Sequence, residues 1–566
     1  MLRCFVRPPK SSSYRAAYRV PSFAAFGAAA ALAFQLAGCT VGPDYKRPAA
    51  AVPASFREAP DGWKVAQPSD RADRGDWWTI YDDPQLNALI EKLNRQNQTV
   101  AQYAAAYRQA RALVSEARAA YFPVISASAG GTRSRTPLRS GSAAGTGSNG
   151  AIGNSFNAGL DATWEPDLWG QVSRTVGAQQ AGQQGAAADL ANARLSAQGT
   201  LAQTYFTLRS LDAQQKVLDD TVHAYQQLLK LTENQYAVGV AGRADIIQAQ
   251  AQLQAAQAAA IDNGVARAQD EHAIAVLVGE PASTFSIPFS PLDATPPTVP
   301  PGLPSALLER RPDIASAERK AAAANEQIGI AISAYFPSLT LSASGGFQSS
   351  VLSQLLSMPS RFWTVGPSLA GTLFDGGLRH AQTEAARAAY DQQVATYRGT
   401  VLAAFQDVED NLASQRILAN EVVVQQRAVE SAQHALQIIV NEYKAGTADF
   451  QSVLTAQTSA FTAQQRLANL AGERMVSSVG LVKALGGGWD VAQMSRETGD
   501  VPAAASASDA QTPKGAANAN ERENTASAAT SATSATSATS ATSATSATTA
   551  ATAATAATHV TTDAAR

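Results

Sequence analysis

Cysteine is nearly absent from this chain: Cys4 and Cys39 are the only two in 566 residues. That excludes a disulfide scaffold and a thiolate metal cluster. Histidine is scarce too, and His223, His272, His380, His434 and His559 stand too far apart to share a metal. Charged residues are only 16% of the chain. No basic field marks a nucleic-acid partner. No glycine loop is spaced for phosphates, and no nucleophile stands in a pattern with a base, so the chain is not read as an enzyme and no cofactor is expected. After Leu36 no apolar run reaches the roughly 18 to 20 residues of a spanning helix. Any membrane crossing must therefore use strands.

What is present begins with an export leader. Arg3, Arg7, Lys10, Arg15 and Arg19 precede an apolar run from Phe23 to Leu36, and Leu36-Ala37-Gly38-Cys39 follows. The ending resembles a bacterial lipobox, which implies removal of residues 1–38 and acylation of Cys39. Thr40 in the next position implies sorting to the outer membrane. Cleavage by an ordinary signal peptidase, with Cys39 a bystander, is the competing reading. Losing the five basic residues of the leader moves the net charge from −2 to −7.

The rest says the same thing twice. Ala120-Tyr121-Phe122-Pro123 leads into Ile125, Ala127 and Ala129, and 214 residues later Ala334-Tyr335-Phe336-Pro337 leads into Leu339, Leu341 and Ala343. Each copy then alternates with period two. Phe156, Ala158, Leu160, Ala162 and Trp164 oppose Asn157, Gly159, Asp161 and Thr163; Trp363, Val365, Leu369 and Leu373 oppose Thr364, Ser368 and Thr372. Strands of about ten residues suit a tilted bilayer crossing. The same alternation also suits a half-buried soluble hairpin. Export and duplication favour the membrane.

Helices surround each hairpin. Asp83-Pro84 predicts a capped start of a helix running to about Tyr121. Val172 to Val238 and Leu378 to Ala445 read as very long helices, about 100 Å each at 1.5 Å per residue. Leu218, Val222, Tyr225, Leu229, Thr232 and Tyr236 predict a coiled-coil seam. Both long helices end at glycine turns, Val238-Gly239-Val240 and Ala445-Gly446-Thr447, 207 residues apart. Return helices from Asp245 to Val278 and from Phe450 to Leu485 follow. The organisation is then a leader at 1–38, a linker at 39–82 that wraps something else, a first repeat at 83–280, a proline-rich linker at 281–311, a second repeat at 312–490, and a disordered Ala/Ser/Thr-rich tail at 491–566.

Four strands cannot close, and an open sheet edge is not tolerated in lipid. Two copies would give an eight-stranded barrel filled by its own side chains; three would give twelve strands and a lumen. At this point Val41-Gly42-Pro43-Asp44-Tyr45, Trp77-Trp78, Arg310-Arg311-Pro312-Asp313-Ile314, the Ala-Tyr-Phe-Pro pair and Ala484-Leu485-Gly486-Gly487-Gly488-Trp489 carry a resemblance to the TolC-like outer-membrane efflux proteins, in their NodT/OprM-type lipoprotein branch. It spans about residues 39 to 490.

The resemblance implies an α+β membrane protein: a trimeric 12-stranded β-barrel, four strands per chain, continued by a long 12-helix α-barrel in the periplasm. Implied partners are two further copies, a periplasmic adaptor, an inner-membrane transporter of the resistance-nodulation-division class and outer-membrane lipid. The implied role is the exit duct of a tripartite pump for drugs or other small molecules. Val238, Gly239, Val240, Ala445, Gly446 and Thr447 match the family's adaptor-docking turns. Asp245 and Tyr443 match a gate pair. Ser452 and Thr455 stand where relatives carry an acidic ring and Ala448 where they carry a gate arginine, which leaves Asp449 as the nearby carboxylate. A duct for protein secretion, or a non-conducting envelope brace, also fits part of the pattern.

Overall fold

The computed structural model describes residues 40–53, 55–58, 76–135, 152–297, 299 and 310–488. The leader, Cys39, residues 136–151 between the first two strands, and the tail lie outside them. Eleven main elements follow in order: α1 (Pro84–Gln96), α2 (Gln98–Ala119), β1 (Val124–Arg135), β2 (Ile152–Trp164), α3 (Gln171–Ala237), α4 (Arg243–Val278), α5 (Pro312–Ser333), β3 (Ser338–Ser349), β4 (Arg361–Ala370), α6 (Leu378–Lys444) and α7 (Phe450–Ala484). No described helix is long and apolar enough to cross a membrane.

The first predicted helix is in fact two. Asn97 adopts an extended backbone, and its side chain accepts the Val100 N–H at 2.9 Å while its amide donates to Leu277 O at 2.7 Å. One residue ends α1, caps α2 and ties both to α4. Asp83 caps α1 as the sequence predicts, accepting the N–H groups of Gln85 and Leu86.

The two 67-residue helices α3 and α6 are the posts of the molecule. Helices α2, α4, α5 and α7 pack along α3, and α5 and α7 along α6. The buried seam of α3 is Leu218, Thr221, Tyr225, Leu228 and Thr232. Thr221 and Leu228 are buried beside the predicted Val222 and Leu229, which pack half-buried against the same core, and Tyr236 stands 46% exposed beyond it. An α-helix advances by 3.6 residues per turn, so the stripe drifts from a strict heptad. The buried Thr232 hydroxyl satisfies itself on Leu228 O at 2.9 Å.

Midway along the posts lies the largest core. The short 3₁₀ turn Trp77–Tyr81 brings Trp77, Trp78 and Tyr81 against Leu86, Ile90, Leu201, Tyr205, Phe206 and Val479. Trp77 Nε1 donates to Gln198 Oε1 at 3.1 Å, and the Tyr205 hydroxyl donates to Asp83 Oδ2 at 2.7 Å. Burial pushes the Tyr81 phenol up to about 12 and raises Tyr205 as well. Beside it Asp212, fully buried, holds Arg209 at 2.9 Å and Arg267 at 2.7 Å. Those guanidiniums in turn donate to Pro288 O and Ile287 O, clasping the proline-rich linker.

The segment after Cys39 wraps the helices. Gly42, at φ +103°, crosses Gly329 so closely that a Cβ would lie 2.6 Å from its Cα. Arg174 reaches Pro43 O at 3.1 Å and Glu326 at 3.0 Å, Tyr45 donates to Glu318 at 2.7 Å, and Phe56 is buried against Tyr397, Val401 and Val408.

Candidate functional site

The four strands form one antiparallel sheet in the order β1-β2-β3-β4, joining both repeats. Residues paired across strands share a face. One face therefore carries Ile125, Ala127, Ala162, Leu160, Phe156, Leu341, Ala343, Phe347, Val365, Trp363 and Leu369. The other carries Ser126, Ser128, Thr163, Asp161, Asn157, Thr340, Ser342, Ser344, Thr364 and Ser368. The apolar face is uncovered: Ile125 is 70% exposed, Trp363 75% and Val365 69%. A soluble hairpin would bury that face; here both faces are open, one suited to lipid and one to water.

Register also sets the lean of the strands. Val124 aligns with Thr163, then with Ser342 and Gly366, yet β4 runs on to Ala370. The helix-side ends thus step by four residues, about 13 Å, over three strand spacings, about 14 Å, a lean of about 40°. Membrane barrels lean by the same amount. Strand β4 stops at Ala370, short of the predicted Leu373, which is 100% exposed. At the helix junction Trp164 Nε1 donates to Tyr121 O at 3.0 Å, and Trp169 stacks on Phe336. On the polar face Phe362 reaches across the strand toward Gly159, where a Cβ would meet its ring at 3.8 Å.

At the far end of the posts, the two glycine turns are the same device. Gly239 has φ +79° and Gly446 φ +76°. Val240 N–H donates to Gln235 O and Gly239 N–H to Tyr236 O; Thr447 N–H donates to Glu442 O and Gly446 N–H to Tyr443 O. This paired bonding is the Schellman motif. Val238 and Val240 stand 74% and 65% exposed, and Ala445, Gly446 and Thr447 are exposed as well. All six predicted contact residues are at the surface.

The return helices start with exchanged chemistry. In α4 the N-cap is Gly242, and Asp245 at the third position reaches back to accept its N–H at 2.9 Å. In α7 the N-cap is Asp449, which accepts the N–H of Ser452 at 2.9 Å. The positions correspond at the same 207-residue offset, so each helix start holds one carboxylate, supplied from opposite ends of a capping box. Asp245 is thus not the cap itself but the reciprocal partner of the cap. The Ser452 hydroxyl and N–H hold the Asp449 carboxyl below the usual carboxylate range.

No hydrogen bond joins Asp245 to Tyr443 within the chain. The buried Tyr443 hydroxyl donates to Thr232 Oγ1 at 3.4 Å, and Gln235 Nε2 donates to Tyr443 O at 3.0 Å. Thr232 was read only as a seam residue, and its contact with Tyr443 has no local sequence signal. Burial, first, raises the Tyr443 phenol, with the nearby Asp245 charge adding to it. Thr455 donates to Gln451 O, and Ser452 and Thr455 line a 360 Å³ groove with Ala435 and Ile439. A larger groove of 710 Å³ beside it is lined by Gln252, Gln451, Thr458, Ser459, Thr462 and Arg466. No carboxylate lines either groove.

Comparison with known proteins gives the class that this geometry defines. Residues 89–280 and 303–487 match the family model described as outer membrane efflux protein. The chain is 32% identical over 437 residues to the pyoverdine export outer membrane protein OpmQ of Pseudomonas aeruginosa, covering 76% of this chain and 91% of that relative. It is 32% identical over 492 residues to the probable efflux pump outer membrane protein TtgC of Pseudomonas putida, covering 86% and 98%. Among solved structures, the outer-membrane channel OprN superposes with a TM-score of 0.74 at 30% identity, covering 80% of this chain and all of that one. The chain belongs to the outer membrane efflux protein family, and it is an outer-membrane exit duct. Membership decides for the duct over the non-conducting brace. Members of the family are channels.

Proposed function

We propose that three copies of the chain close into a 12-stranded barrel whose polar face lines the lumen, and that their helices continue the wall as a 12-helix tunnel in the periplasm. The observation that carries this reading is the open, two-faced, inclined four-stranded sheet joined directly to 67-residue helices. Both edge strands, β1 and β4, have unpaired backbone that only another copy can satisfy in lipid. Single-particle mass of the detergent-extracted protein, with conductance in planar bilayers, tests it. A non-conducting monomer would refute it.

The duct serves a tripartite pump with a periplasmic adaptor and an inner-membrane transporter of the resistance-nodulation-division class. The adaptor docks on the turns at Val238-Gly239-Val240 and Ala445-Gly446-Thr447. Relatives are named for pyoverdine, antibiotics, toluene and cations. Cargo of such unlike chemistry points to small molecules chosen by the transporter and to a permissive lumen lined by Ser, Thr and Asn.

Cys39 is the lipid anchor. Its neighbour Thr40 lies against Gly170 at the junction of strands and helices, and Val41 N–H donates to Trp169 O at 3.2 Å. That junction is the level at which an acyl chain would enter the inner leaflet. Cys39→Ser is expected to abolish palmitate labelling, and retained label would reassign the anchor.

Asp245, Tyr443, Asp449, Ser452 and Thr455 form the periplasmic constriction. With hydroxyls at 452 and 455 the mouth is held by weak polar links and not by a salt bridge. Asp245→Ala is expected to raise single-channel conductance; unchanged conductance would remove Asp245 from the gate.

A further inference from the structure

The apolar face of the sheet ends in cations. On β1 the residues facing the same way as Ile125 include Arg133 and Arg135, and on β4 those facing the same way as Leu369 include Arg361. All three are exposed. None makes an ion pair or hydrogen bond with the described chain. Among the described strand residues, no Asp or Glu lies on this face: Asp161 points to the other side, paired with Ser126.

Their depth coincides. Arg133 lies eight residues beyond Ile125, and Arg361 eight residues from Leu369, in each case counted away from the helices. Eight residues are about 26 Å of strand, or about 20 Å of depth at the lean derived above. The apolar band of an outer-membrane barrel is about 25 Å tall. The guanidiniums therefore emerge where hydrocarbon gives way to the headgroups of the outer leaflet. A cation facing lipid is costly deep in the band and nearly free near the interface, where it finds water or an anion.

β1 and β4 are also the two edges of the sheet. Closing the barrel seats β4 of one copy beside β1 of the next, bringing Arg361 to the same side and depth as the partner subunit's Arg133 and Arg135. Three guanidiniums then share one seam with no carboxylate among them. Planar forked donors of this kind fit phosphate oxygens bidentately.

We propose that each subunit seam is a binding site for the phosphates of an outer-leaflet glycolipid, formed by Arg361 and the partner subunit's Arg133 and Arg135. The site rests on the barrel reading, since a single copy holds only its separate halves. It ties the channel to the leaflet that it pierces and covers the seam, where the chain itself supplies no covalent continuity.

The test uses full-length protein in detergent, with bound lipid counted by native mass spectrometry. Bis-phosphorylated lipid A, its dephosphorylated form and phosphatidylethanolamine serve as probes. Lipid A is expected to bind, and the double variant R133Q/R361Q to lower its affinity at least tenfold while mass and conductance remain those of the wild type. R133K/R361K is expected to keep part of the affinity. Equal binding of dephosphorylated lipid A, full binding by R133Q/R361Q, or displacement by millimolar inorganic phosphate would overturn the assignment. A wild-type protein that is monomeric would instead overturn the barrel on which it stands.

Discussion

The midpoint and the tips of the posts use one backbone device in opposite surroundings. At the midpoint of the posts, Gly279 and Gly486 end α4 and α7 with the bonding of a Schellman motif, Glu280 N–H to Ala275 O and Gly487 N–H to Val482 O. At the tips, Gly239 and Gly446 do the same for α3 and α6. Both pairs are 207 residues apart. A Cβ on Gly279 would lie 2.6 Å from Gln96 O, and one on Gly486 would collide with Arg310 O, whereas nothing lies within 4 Å of a Cβ on Gly239 or Gly446. The midpoint is a packed joint, with Leu86, Ile90 and Val479 wholly buried and Asp212 locked between two arginines. The tips present exposed valines and grooves. The joint is overdetermined by packing, whereas the tips keep only local bonds, the low-stability end from which opening and partner binding are drawn.

The largest break in this contrast is expected from Asp212→Ala. It strands Arg209, which is 4% exposed, and removes both ion pairs, a loss of about 3 to 5 kcal/mol. Chemical unfolding followed by the fluorescence of Trp77 and Trp78 measures it; a loss under about 1 kcal/mol would mean that the clasp does not hold the midpoint.

Next come the glycines. Gly446→Ala is expected to cost about 1 to 2 kcal/mol, the penalty for a left-handed backbone alone. Gly486→Ala carries that same penalty plus a backbone collision, so its Tm should fall further. Equal Tm changes for the two variants would erase the difference between joint and tip.

The smallest effect is a pH dependence. The folded Asp449 carboxyl lies below its usual value, so its capping contribution is full above the ordinary carboxylate range and is lost as pH falls through the depressed value. Protection of the Ser452 amide from exchange, relative to its intrinsic rate at each pH, should therefore fall in acid, and Asp449→Ala should remove that step while leaving the protection of the amides around Tyr205 unchanged. A profile shared by tip and midpoint would show that they open together.

Much of this architecture was legible in residue order. The Ala-Tyr-Phe-Pro pair, the two alternations and the glycine turns placed the elements to within a few residues, because period two, period 3.6 and positive φ each leave a local mark. What escaped was long-range. Asn97 breaks the first helix because its side chain is also wanted by Leu277 O, 180 residues away. The clasp of Asp212 on the linker, and the contact of Tyr443 with Thr232, join residues that no local pattern relates. Among the site residues, exposure of the six turn positions followed from capping, whereas the particular bonds of Asp245 to the Gly242 N–H and of Asp449 to the Ser452 N–H came only with the structure.

By itself the sequence determined the duplication, the strand-bearing hairpins, the length of the posts and the family, since each is written as a short-range period or an ordered set of motifs. Only the tertiary structure decided the register. A slip of one residue between strands would have exchanged the apolar and polar faces, and the step of the strand ends fixes the lean. Pairing between distant strands is settled by cooperative hydrogen bonding across the whole sheet, and that information resides in no single segment.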